Sequence, residues 1–138
     1  YRCTINKAFA DVLAGCACTD DRIEESNAWL GPDLLDTWMV LNEEGYAKSV
    51  EVWDGDELVG GLYGFVSGRA LIGDSMFSLV PSASKLALIH LARHIEAQGG
   101  GIIDCQLETA HLKSMGARYI TFDDYLSRTL APDPIRWP

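Results

Sequence analysis

Positive charge is scarce in this chain, as are histidine and zinc-type cysteine spacing, and it has no long apolar run. Eleven Lys and Arg stand against 20 Asp and Glu, a net charge of −9 over 138 residues. That balance disfavours a broad phosphate-binding face within these residues, because nucleic-acid footprints are basic. It suits a cationic partner, although a surplus of acid is also common in globular proteins generally. No apolar run approaches the roughly 18 residues that a membrane span needs, so no membrane partner is expected. Cys3, Cys16, Cys18 and Cys105 include a Cys-x-Cys but no paired C-x-x-C. His90 and His94 stand four apart on a predicted helix, and with His111 they are the only histidines. No third ligand accompanies the pair, so neither a metal nor a cofactor is expected. Free thiols fit a reducing compartment. The sequence opens on Tyr1, with neither an initiator Met nor a signal-peptide pattern, and reads as a piece or processed form of something longer.

What is present is a globular composition, 48% hydrophobic, of a length that makes one domain with a real core the default. Ile5, Ala8, Phe9, Val12 and Leu13 recur at helical spacing, predicting a helix from Ile5 to Ala14 that stops at Gly15. Cys16 to Trp29 is acidic and reads as a loop. Trp29 there marks either a contact surface or packing on its own domain. Pro32 opens a second helix at its favoured first-turn position, and Gly45 ends it. Three strands follow, Ser49–Trp53, Leu58–Val66 and Ala70–Ser78, joined by Asp54-Gly55-Asp56 and Ser67-Gly68-Arg69. Such short turns imply an antiparallel meander.

Gly60, Gly61 and Gly64 inside the second strand weaken it unless a neighbour approaches the backbone closely or a bulge is needed. A helix over Lys85–Ala97, capped by Ser82 or Ser84, leads to Gly99-Gly100-Gly101 and a short strand, Ile102–Cys105. Its end delivers Asp104 and Gln106, two residues apart and so from one face. A helix over Leu107–Met115, a last strand over Arg118–Thr121, a helical turn over Asp123–Ser127 and an irregular tail from Ala131 complete the chain. The order ααβββαβαβ places the fold in the α/β (α+β) class, with a mixed sheet and flanking helices. It matches the layout of GNAT-like acyltransferases, which is a likeness of fold.

Seven stretches occur in an order that carries a closer likeness. They are Tyr1-Arg2-Cys3-Thr4-Ile5-Asn6, Ser49-Val50-Glu51-Val52-Trp53, Leu58-Val59-Gly60-Gly61-Leu62-Tyr63-Gly64, Gly73-Asp74-Ser75-Met76-Phe77-Ser78, Ala83-Ser84-Lys85, Ile103-Asp104-Cys105-Gln106 and His111-Leu112-Lys113-Ser114-Met115-Gly116-Ala117. Together they resemble the leucyl/phenylalanyl-tRNA–protein transferase family, from Tyr1 to about Leu126. The resemblance implies a cytoplasmic, monomeric bacterial enzyme with a GNAT-like fold. Its partners would be an aminoacyl-tRNA, as donor of Leu or Phe (or Met), and a protein with N-terminal Arg or Lys as acceptor. The product would carry a degradation signal. Residues 1–130 would form the aminoacyl-transferase domain and 131–138 an irregular tail. The family's smaller N-terminal domain would, by the same resemblance, lie outside these residues.

By the same resemblance Asp104 and Gln106 are the reaction centre. Gln106 would hold the amine or the reacting carbonyl, and Asp104 would either orient Gln106 or draw the amine's proton. A solvated carboxylate with a pKa of about 4 is a poor base for an ammonium unless burial raises it. Asp74 stands where the family usually has Glu, and a carboxylate there would pair with the acceptor's Arg or Lys. Lys48 replaces a usual His. Leu62, Met76, Leu88, Leu91, Ile95 and Ile103 occupy the positions of an apolar pocket for the amino-acid side chain. Trp29 matches an aromatic near the tRNA terminal adenosine. The basic tRNA surface is expected mostly on that N-terminal domain, or in a local patch such as Lys113, Arg118 and Arg128. Two other readings compete. One is a coenzyme-A-dependent N-acetyltransferase, against which the turn Ser78–Ser84 counts because it has no glycine to cradle a pyrophosphate. The other is a module that binds basic N-termini without catalysis.

Overall fold

A computed structural model describes residues 1–19, 32–105 and 110–138. The strands are β1 (Arg2–Ile5), β2 (Ala47–Asp54), β3 (Glu57–Ser67), β4 (Ala70–Ser78) and β5 (Ile102–Asp104), in that order across one sheet. The helices are α1 (Phe9–Thr19), α2 (Pro32–Glu43), α3 (Ala83–Glu96), α4 (Ala110–Ser114) and α5 (Phe122–Thr129). The first four strands pair antiparallel and β5 runs parallel to β4. The mixed sheet with flanking helices and central meander is therefore as expected. Asp54 pairs with Glu57 and Ser67 with Ala70, so both hairpins turn on two residues. Gly55 and Gly68 supply the positive φ (61° and 55°) that such turns need. Among the described residues no helix is long and apolar enough to cross a membrane.

Alternation along the strands divides the core between two layers. Val50, Val52, Leu62 and Leu71 face α3, packing on Ala87, Leu88, Leu91 and Ile95. Tyr63 and Phe77 face the opposite way, against Phe9, Val12, Leu13 and Cys16 of α1 and the inner side of α2. The glycines of β3 have the reasons the sequence offered. A Cβ on Gly60 would run into the Ala83 methyl of α3, and Gly64 sits at a bulge.

Several boundaries differ from the expectation. The chain begins with a strand rather than a helix. Ile5 and Phe9 are four apart and mimic a helical stripe, but β1 is locked onto β2 by a buried polar chain. The Trp53 indole donates to Thr4 Oγ1 at 2.9 Å, and Thr4 donates to the buried Glu51 carboxylate at 2.6 Å. Glu51 also accepts from the Ser49 hydroxyl and from the Lys7 backbone N–H. Asn6, at φ 54°, then turns the chain into α1. That helix runs through Gly15 to Thr19, because the Phe77 ring fills the space a side chain would take. Ser82 stands at the start of α3 with φ 68°, and its side chain caps nothing. Ser78 Oγ accepts the Ser84 N–H instead, at 2.7 Å.

Arg118–Thr121 is not a strand. Tyr119 is 71% exposed, and Thr121 turns the stretch into α5 by accepting the Asp124 N–H at 3.1 Å. The segment after Leu130 has no regular element but is packed. Ile135 is 5% exposed within the α3-side core, and Trp137 lies 5.1 Å from the His94 ring.

Candidate active site

Strand β5 is only three residues long, and its register fixes where its side chains go. Ile103 pairs with Leu71 and belongs to the α3 side. Asp104 pairs with Ile72, so alternation sends it to the other face. There its Oδ2 accepts a hydrogen bond from the Tyr125 hydroxyl of α5 at 3.0 Å. Burial first, and the Asp104 carboxylate second, push the Tyr125 phenol above its ordinary pKa.

Asp74 is placed by the bulge. On β3, Tyr63 pairs with Ser75 and Gly64 with Gly73, leaving Asp74 as the extra residue of β4. Only glycine fits at 64, since a Cβ there would press on the Ile72 carbonyl oxygen. The Asp74 side chain is exposed, and its Oδ2 accepts from the Tyr63 hydroxyl at 2.7 Å. Tyr63 is itself fully buried, edge-on to Phe9 and Trp38 at ring distances of 6.0 and 4.9 Å. Two carboxylates, each held by a tyrosine hydroxyl, thus share one face of neighbouring parallel strands. Paired acids on one face favour a cationic group between or beside them.

An apolar cavity of about 360 Å³ lies on the opposite side of β5, under the outer flank of α3. Leu88, Ile89, Ala92 and Ile95 form one wall, Ile103 and Cys105 the floor, and Leu112 and Met115 the far side. Of the residues expected to form a pocket, Leu88, Ile95 and Ile103 line this cavity. Leu62 and Leu91 lie in the core beneath it, and Met76 packs against that core. Leu112 and Met115 were absent from the expected set, although their spacing within a helical stretch marks an inward face. Cys105, also absent from it, sits where the strand ends. Burial, and after it the Asp104 charge, push its thiol up, so it stays protonated and a poor nucleophile. Gln106 and Trp29 lie outside the described residues.

Other candidates have structural partners. His94 Nε2 lies 2.7 Å from the Arg136 carbonyl, which engages one half of the His90–His94 pair. Arg128 is ion-paired with Asp124 at 2.9 Å, while Lys113 and Arg118 are exposed. At the start of α3, the Ser84 and Ala83 N–H groups are taken by Ser78 Oγ and the Val80 carbonyl. Those are donors that a coenzyme pyrophosphate would require.

A family model described as leucyl/phenylalanyl-tRNA protein transferase matches residues 1–130. The chain belongs to that family. The leucyl/phenylalanyl-tRNA–protein transferase of Nitrosomonas eutropha is 49% identical over 120 residues, covering 87% of this chain and 50% of that protein. Its namesake from Chromohalobacter salexigens is 49% identical over 131 residues, covering 93% and 50%. The one from Edwardsiella ictaluri is 46% identical over 138 residues, covering 95% and 55%. The chain spans about half the length of the curated relatives it matches. Membership in the transferase family gives the seven ordered stretches a common reason. It also sorts them, since the Ser49–Trp53 stretch spends Ser49, Glu51 and Trp53 on fastening β1.

Proposed function

We propose that this chain carries the transfer centre of a monomeric, cytoplasmic aminoacyl-tRNA–protein transferase. It moves Leu or Phe (or Met) from the tRNA 3′ end to the α-amino group of a protein beginning with Arg or Lys, which marks that protein for degradation. One observation carries the reading: a held carboxylate at the end of β5, with an apolar cavity reached around the same strand end. An ester aminolysis needs these parts. The neutral amine attacks the ester carbonyl carbon, the bond to the ribose oxygen breaks, and the amine's proton ends on the released hydroxyl. Alignment of amine and ester supplies much of the acceleration, with hydrogen bonds to the developing oxyanion supplying more. Asp104 orients the amine, directly or through Gln106, and the cavity holds the apolar side chain of the transferred residue. Asp74, on the amine's side of the sheet, faces the acceptor's basic side chain.

The test is transfer of labelled leucine from Leu-tRNA to a peptide starting with Arg, using the full-length protein. Label should appear at the peptide's N-terminus, and Asp104→Asn should lower kcat by about 100-fold, the scale of a misdirected reacting group. Absence of transfer by the wild type overturns the reading. Peptide binding without transfer would identify a recognition module instead.

A further inference from the structure

We infer that Tyr125 is the positioning residue that fixes the Asp104 carboxylate for transfer, an inference that rests on the function proposed above. Asp104 ends the last strand of the sheet among the described residues, paired through its backbone with Ile72. The Tyr125 hydroxyl meets its Oδ2 at 3.0 Å, from a helix packed directly against β5.

Helix α5 is built to hold that hydroxyl still. Its start is capped by Thr121, and the Asp124–Arg128 pair spans its middle. Its last turn is pinned to the sheet, because the Thr129 carbonyl accepts the Arg69 N–H at 3.0 Å and sits tightly on Gly68. Tyr125 lies between these two anchors. The neighbouring aromatics Tyr119 and Phe122 are 71% and 73% exposed. The aromatic that the helix turns inward is thus the one that carries a hydroxyl toward Asp104.

The chemistry follows from which atom donates. Asp104 held in this way serves as an orienting acceptor for the amine. The elevated phenol pKa keeps Tyr125 a donor throughout the neutral range. A phenylalanine at 125 would preserve the ring's packing and lose only this constraint.

Two measurements test the inference. In the full-length protein, Tyr125→Phe should lower kcat about 10- to 100-fold, the cost of losing alignment at a reacting group. KM for both substrates and the melting temperature should stay unchanged, the pattern of an interaction that matters after binding. An unchanged kcat would overturn the inference, as would a kcat loss that merely follows a fall in melting temperature. The second measurement needs no transfer. An ultraviolet pH titration of wild type minus Tyr125→Phe isolates one phenol, and this phenol should ionise later than an ordinary tyrosine. In an Asp104→Asn background the same difference should move back toward the ordinary value. If Asp104→Asn leaves the phenol's titration where it was, the contact is absent in solution and the inference fails. Should the wild type transfer nothing, the functional reading falls, while the titration still decides whether Tyr125 holds Asp104.

Discussion

Asp74 shows how much a single side chain at a bulge depends on its neighbours. The extra residue in β4 turns the carboxylate outward, and a tyrosine buried on all sides steadies it from eleven positions away. Asn in its place keeps the shape and an acceptor for Tyr63 but removes the charge. A charge-assisted contact to a basic side chain is worth about 1 kcal/mol at such an exposed position, after discounting for solvent screening. Asp74→Asn should therefore raise KM for an Arg-initiated peptide about fivefold, with KM for Leu-tRNA unaltered. The difference between wild type and variant should shrink as salt is added. Steady-state kinetics over peptide concentration check this, and an unaltered peptide KM would remove the charge from acceptor recognition. Asp74 and Asp104 were both legible in the sequence, because each stands inside a stretch that carries the family resemblance. Their tyrosines were not. Tyr63 reads as one more strand residue until the bulge is seen, and Tyr125 reaches Asp104 from a separate helix 21 residues downstream.

At the scale of elements, local chemistry was readable wherever a turn or a cap dictated it. Both two-residue hairpins, the Pro32 helix start and the long α3 follow from residues that permit little else. Failures came where tertiary contacts overrode local pattern. Periodicity set the first helix too early because β1 is held by Thr4 and Glu51 rather than by its own apolar spacing. Gly15 reads as a stop, yet it is a close-packing site inside α1. A Cβ there would lie 2.5 Å from the tip of the Phe77 ring, which is 4% exposed and has nowhere to swing. Ala at 15 gains about 1 kcal/mol of helix propensity. Forcing a methyl against a buried ring costs about 1–3 kcal/mol. Gly15→Ala should lower the unfolding free energy by about 1 kcal/mol in urea titration, the overpacking outweighing the propensity. A more stable variant would show that the ring yields, and that the glycine marks something other than contact.

Across the whole molecule, the irregular tail closes the fold over the β3–β4 turn. Arg69, 7% exposed on the β3–β4 turn, donates to the Gly100 carbonyl at 2.8 Å and to the carbonyls of Gln98 and Asp133. Gln98 grips the tail a second time, accepting from the Arg136 N–H at 2.7 Å and donating to its carbonyl at 3.1 Å. Asn6 then donates to the Pro138 carbonyl, so the turn after the first strand meets the last residue. Between these polar fasteners Ile135 enters the α3-side core. The Gln98 and Asn6 contacts are exposed and contribute little each, so beside the buried Arg69 the apolar Ile135 is the tail's main anchor. Removing a buried isoleucine side chain to alanine costs about 2–5 kcal/mol. Ile135→Ala should fall in the lower half of that range, about 2–3 kcal/mol, because a surface tail relaxes into a vacated site more easily than a sheet does. Transfer measured below the new melting point should keep its wild-type kcat, since α5 and β5 retain their own anchors. Chemical denaturation and the peptide assay, run on the same preparation, separate the two effects. A loss under about 1 kcal/mol would mean the tail is not seated in solution. A lowered kcat in a protein that is still folded would mean that the tail's hold on Arg69 reaches through Thr129 to Tyr125 and the carboxylate it positions.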